Sequence, residues 1–170
     1  MSLAESRMFD FAQGLPPVLS QPTVEKRRDI YERNRHRVYS LAFWMTDNEL
    51  AAEALTRQTF WRAFTATQQA TADEIDRALV SELRSVVPFG TLSLNCAPCE
   101  RVLSVRRNTR RVDLERAVVR LPNTEKLMFL MHDVEGYEHA HIAQLLEVRE
   151  DQSRTGVHQA RLRLRELLAK

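Results

Sequence analysis

Gln152, Arg154, Thr155, His158 and Arg161 recur at three- and four-residue intervals near the C-terminus, the spacing that sets side chains on one side of a helix. Arg and Gln can each present paired hydrogen-bonding atoms to a base edge, and the basic residues among them can hold phosphates. The chemistry in view is recognition of duplex DNA. A two-helix hairpin inside an ordinary bundle produces the same pattern, so on these residues alone both readings stand.

Other chemistry is thinly supplied. Cys96-Ala97-Pro98-Cys99 is a lone Cys-x-x-Cys, which fits a redox pair or half of a zinc site. The only closely spaced histidines, His139 and His141, are two apart and so leave a helix on different sides; the thiols read best as incidental. His36, His132 and His158 read as surface or capping residues, with His158 also within reach of DNA. With glycine only at positions 14, 90, 136 and 156, no Gly-rich phosphate loop can be built. No catalytic, cofactor-binding or metal-binding residue is assigned, and a non-enzymatic protein is expected. Trp44, Trp61, Phe60 and Phe64 fall on helical stripes and are expected in the core.

Charge distribution supports the first reading. The 170 residues carry 25 Lys and Arg against 23 Asp and Glu, a formal net charge of +2, and lysine occurs only at positions 26, 126 and 170. Arginine crowds two segments, from Arg101 to Arg120 and from Arg149 to Arg165, making local basic zones on a nearly neutral chain. The longest apolar run, Leu41 to Met45, is far short of the ~20 residues of a membrane span. A cytoplasmic protein without a membrane partner is expected.

Those residues need elements to hold them, and the hydrophobic periodicity is helical throughout. Residues 1–22, with three prolines, read as a flexible tail. Ile30, Val38, Leu41 and Met45 mark a first helix, and Thr46-Asp47-Asn48-Glu49 reads as a capping box that starts a second. Thr71-Ala72-Asp73-Glu74 is a second such box, opening a helix on Ile75, Leu79, Leu83 and Val86. The expected architecture is all-α, with two small helical domains joined by a linker: a helical bundle over 23–87, a linker over 88–111, and a C-terminal helix-turn-helix domain over 112–170. Gly136 is expected as a left-handed C-cap. The last two helices, near 138–146 and 151–169, flank a turn at Glu147-Val148-Arg149, with Ile142, Ala143, Leu146 and Val148 placed to brace one across the other and Ala143 as the small residue at the crossing.

Ordered motifs also carry a family resemblance. Arg120-Leu121-Pro122, His132-Asp133-Val134-Glu135-Gly136, His141-Ile142-Ala143-Gln144-Leu145-Leu146, His158-Gln159-Ala160-Arg161 and Arg163-Leu164-Arg165-Glu166-Leu167-Leu168 resemble the C-terminal domain of bacterial RNA polymerase sigma factors of the extracytoplasmic-function class. Ile30-Tyr31-Glu32, Arg37-Val38-Tyr39, Leu41-Ala42, Ala52-Glu53, Leu55-Thr56 and Phe60-Trp61-Arg62-Ala63-Phe64 are similar to the polymerase-binding N-terminal domain of that family. The resemblance implies a transcription initiation protein that binds core RNA polymerase and promoter DNA, with an anti-sigma protein as a further partner.

This chain is a divergent member by that measure. Where the family carries an acidic and amide cluster toward polymerase, Glu53 remains but Ala54, Arg57 and Gln58 stand beside it. Glu53, Arg57 and Gln58 are the polymerase-binding candidates, with an intrahelical Glu53–Arg57 pair as the competing role. The helix from Arg77 to Val86 lacks the aromatics that capture unpaired bases, and Glu82 there would repel phosphate. Glu147 replaces a turn glycine, Ser153 an apolar residue, and Gly156 interrupts the reading helix. The alternative reading follows from these departures: a sigma-derived regulatory module that has lost promoter melting and binds polymerase, an anti-sigma protein or itself.

Overall fold

A computed structural model describes residues 21–67, 69–92 and 108–169. The expected tail, except the two residues that open the first helix, and the Cys96/Cys99 motif lie outside the described residues. Helix α1 (Gln21–Thr46) and α2 (Glu49–Ala66) form an antiparallel hairpin closed by α3 (Ala72–Val86). The C-terminal part contains α4 (Arg111–Val119), α5 (Asn123–Phe129) continuing into a π-helical turn (Leu130–Val134), α6 (His139–Leu146) and α7 (Glu150–Ala169). Among the described residues there is no strand, and the chain is all-α as expected.

Local chemistry explains where the helices start. Thr71 forms the expected reciprocal box, its Oγ1 accepting from the Glu74 N–H and the Glu74 carboxylate accepting from the Thr71 N–H. That bonding holds the Glu74 carboxyl below the usual range. The box expected at Thr46 is not made. Asp47 turns the chain in the left-handed region (φ 51°), so Thr46 still belongs to α1, and Asn48 caps α2 by accepting from the Ala51 N–H at 2.9 Å.

In the first bundle, Val38, Leu41, Ala42 and Met45 pack with Ala52, Leu55, Phe60 and Ala63 of α2 and Ile75, Leu79 and Leu83 of α3 in a buried core. Each fully buried Leu or Ile in it contributes roughly 1.5–3 kcal/mol. Two apolar residues expected inside are outside: Trp61 is 76% exposed and Val86 54%. Trp61 lies on the face of α2 opposite Leu55, Thr59 and Ala63, so the core is filled before its indole can enter.

Gly156 is not an interruption of the reading face. It is buried, and a Cβ there would lie 2.3 Å from Met128 Sδ on α5, so the missing side chain lets α7 approach α5. Gly156→Ala gains about 1 kcal/mol of helix propensity but overpacks a fully buried Met128 at a cost of ~1–3 kcal/mol. A net loss of up to about 2 kcal/mol is expected in urea unfolding. Increased stability would show that Met128 yields freely.

The two helical groups share a continuous core and a polar seam. Tyr137 Oη donates to Asp76 Oδ2 at 2.7 Å, and Arg37 donates to Oδ1 of the same carboxylate. Burial pushes the Asp76 carboxyl up, against the pull of Arg37. Beside it Tyr137 stacks on His141, whose Nε2 is 2.6 Å from Asp73 Oδ1. Arg84 donates to the Leu146 carbonyl (2.9 Å), and Asn123 and Thr124 donate to the Pro88 and Gly90 carbonyls. The start of the expected linker is thus tied to α5.

Candidate nucleic-acid interface

Helix α6 packs on α7 through buried Ile142, Ala143, Leu145 and Leu146, with Ser153, Val157 and Ala160 buried on α7. Ala143 is the small residue inside this contact. The connecting turn is tight because Glu147 takes the left-handed conformation itself (φ 58°, ψ 43°), a state costing a non-glycine residue about 1–2 kcal/mol. Val148 N–H then closes onto the Ala143 carbonyl at 3.0 Å.

Ser153 fits its buried place by pairing. Its hydroxyl lies 3.1 Å from His139 Nδ1, and the His139 ring stacks on His132 with centroids 4.1 Å apart. His132, expected as a surface or capping residue, is half-buried. Its Nδ1 donates to the Tyr137 carbonyl at 2.8 Å, an alignment made where the π-helical turn widens the backbone. His139 and His141 diverge as their spacing requires, one toward Ser153 and the other toward Asp73.

Burial, with the charges of His132 and then Arg154, holds His139 below its ordinary value of 6.5, while Glu150 and Glu138 pull the other way. The unfolded chain therefore takes up a proton more readily at this residue. The contribution is intact above about pH 6.5 and is lost as pH falls from there toward the depressed folded value. The melting temperature is expected to fall between pH 7 and 5.5 more steeply in the wild type than in His139→Gln. Parallel slopes would remove His139 from the account.

The reading stripe is on the outside of α7. Arg154, His158 and Arg161 are exposed, and Gln152 and Thr155 are half-buried. Four of the five have internal duties, Thr155 Oγ1 donating to the Asp151 carbonyl at 2.8 Å. Gln152 Oε1 accepts from the Arg149 N–H at 2.9 Å, Arg154 donates to Glu150 Oε1 at 2.5 Å, and Arg161 holds Asp133 through two bonds of 2.5 and 2.8 Å. Arg149 in turn grips Asp151, and the Asp151 carboxyl is lowered by that bond. The first turn of α7 is thus a lattice of opposite charges, and farther along the helix Arg161 and Arg163 are held by Asp133 and Glu125. The exposed pairs among these are worth about 0–1 kcal/mol each, so exchanging a carboxylate for a phosphate costs little. Arg165, one further step along the stripe, is exposed and makes no ion pair among the described residues. Its spacing made it legible in the sequence; the carboxylate partners of Arg154 and Arg161 were not singled out there.

On α2, Glu53, Arg57 and Gln58 are exposed, and no Glu53–Arg57 ion pair forms among the described residues. Leu50 (77% exposed) and Trp61, which periodicity assigns to the core, share their face. Glu82 on α3 is paired with Arg62 at 2.6 Å. Among the described residues there is no group of three potential metal ligands and no helix long and apolar enough to cross a membrane.

Over residues 111–164, about a third of the chain, the sequence matches the family described as Sigma-70, region 4. This stretch runs from the first residue of α4 through α6 and the first fifteen residues of α7. The C-terminal domain is therefore sigma-70 region 4-like, which supports a sigma-factor-like protein. No curated protein matches the chain.

Proposed function

We propose that this chain is a sigma-factor-like transcription initiation protein of the extracytoplasmic-function class, acting in the cytoplasm without enzymatic activity of its own. The first helical group binds core RNA polymerase through the α2 face, and α7 carries it to promoter DNA. One observation supports this most: α7 is braced by α6 in the region 4-like segment, with Arg154, His158, Arg161 and Arg165 turned outward. Phosphate contacts supply affinity, and side chains on base edges supply choice.

Because Arg154 and Arg161 are held by carboxylates, DNA must compete with Glu150 and Asp133. Arg154→Ala and Arg161→Ala are each expected to weaken binding to a selected promoter duplex by about 1–3 kcal/mol and to reduce its salt dependence. Glu150→Gln, which releases Arg154, is expected to tighten it. Fluorescence anisotropy across a salt series checks both; unchanged binding in all three variants would remove α7 as the reading helix.

The polar seam favours a second reading. Asp73, Asp76 and Arg84 place α3 against the C-terminal domain, and α3 carries no aromatic residue between Ala72 and Val86. This fits a sigma-derived regulator that binds polymerase, an anti-sigma protein or itself without separating promoter strands. Polymerase binding with no open complex on any genomic fragment would favour it over the first.

A further inference from the structure

A groove of about 960 Å³ runs between the C-terminal half of α1 and α4. One wall is aromatic. Tyr39 and Phe43 have nearly parallel rings 6.3 Å apart, and Phe43 meets Trp44 edge-on at 6.2 Å. All three are only partly buried: they pack against the core and also line the groove.

The other wall is basic. Arg116 on α4 and Arg120, one helical turn further at its C-cap, are exposed and take part in no ion pair among the described residues. Their neighbours are treated differently: Arg110 is paired with Asp113 and Arg111 with Glu115. Arg116 acts on the Asp113 carboxylate only through its charge, with no ion pair formed. Two carboxylates also border the groove, Glu115, which is engaged by Arg111, and Asp47, which is opposed by the Lys126 ammonium.

Aromatic faces, paired guanidiniums and nearby carboxylates answer three parts of one ligand class: a planar base, a phosphate chain and a sugar diol. We infer that the groove between α1 and α4 binds a nucleoside phosphate, its base against the Tyr39–Phe43–Trp44 wall and its phosphates on Arg116 and Arg120. Binding involves no bond cleavage. Since α1 and α4 belong to different helical groups, the ligand stabilises the folded arrangement that joins them by RT ln(1 + L/Kd), with L the free ligand concentration. The inference stands apart from the promoter reading, because neither DNA nor polymerase enters it.

The test uses the full chain with Trp61→Phe, which leaves Trp44 as the sole indole. Titration with ADP is expected to change Trp44 fluorescence saturably and raise the melting temperature. Arg116→Ala and Arg120→Ala should each weaken binding at least tenfold while leaving the ligand-free melting temperature unchanged, both residues being exposed. Phe43→Leu should weaken it too, read by calorimetry.

Pyrophosphate binding as tightly as ADP would overturn the inference in favour of a general anion patch. Adenosine binding as tightly as ADP would remove the arginines from it. A polyglutamate peptide displacing ADP at equal concentration would reassign the groove to an acidic protein segment, and no saturation with millimolar ADP would sink it outright.

Discussion

Arg37→Ala is expected to lower the unfolding free energy by about 3–5 kcal/mol near pH 8, the cost of stranding a buried charge. The side chain of Asp76 is 3% exposed and that of Arg37 18%, so water cannot readily replace the guanidinium. Burial already pushes the Asp76 carboxyl up and Arg37 opposes it; without Arg37 the carboxyl rises further and neutralises more easily. A group raised on folding stabilises at low pH and ceases to do so as pH climbs through its folded value. The loss in Arg37→Ala should therefore shrink as pH falls from 8 toward 5.

Asp76→Asn should cost less, because Arg37 retains Asn34 at 2.8 Å and the Tyr137 ring. Tyr137→Phe, which removes one bond to a charged acceptor, should cost about 1.5–3 kcal/mol. Urea unfolding at two pH values separates the three variants. A loss under 1 kcal/mol for Arg37→Ala, independent of pH, would mean that Asp76 is rehydrated and the seam is not a buried ion pair.

Trp61→Ala is expected to weaken binding to core polymerase at least about thirtyfold, near 2 kcal/mol, the scale of an aromatic hot spot closed off from water by a partner. Stability should move by no more than ~0.5 kcal/mol, since the residue is 76% exposed. Arg57→Ala and Gln58→Ala, at the same face, should have smaller effects. Surface plasmon resonance against core polymerase, with a thermal melt of each variant, makes the comparison. Full affinity in Trp61→Ala would take the α2 face out of the polymerase contact.

The braced pair of helices was legible because its signals are local. Helical spacing, the Thr71 box and the small Ala143 act within a few turns of chain, and the structure has α6 and α7 where the pattern sets them. Boundary detail was less so: whether Thr46 or Asn48 caps α2 depends on the left-handed turn at Asp47, which no propensity at Thr46 foretells. Trp61 was misread for a related reason, since periodicity finds a stripe but cannot tell how many side chains the core has room for.

By itself, then, the sequence determined that the chain is helical, that its last two helices form a braced pair, and that arginine follows the outer side of the second. Only the tertiary structure decided that Arg154 and Arg161 are already held by Glu150 and Asp133, that Gly156 lets α7 lie close to α5, and that Asp76 joins α1, α3 and Tyr137. The division has one physical cause. Backbone hydrogen bonding and amphipathic spacing are settled between residues three or four apart, whereas the partner of a charge and the space left for a side chain are set by residues as far as 63 positions away.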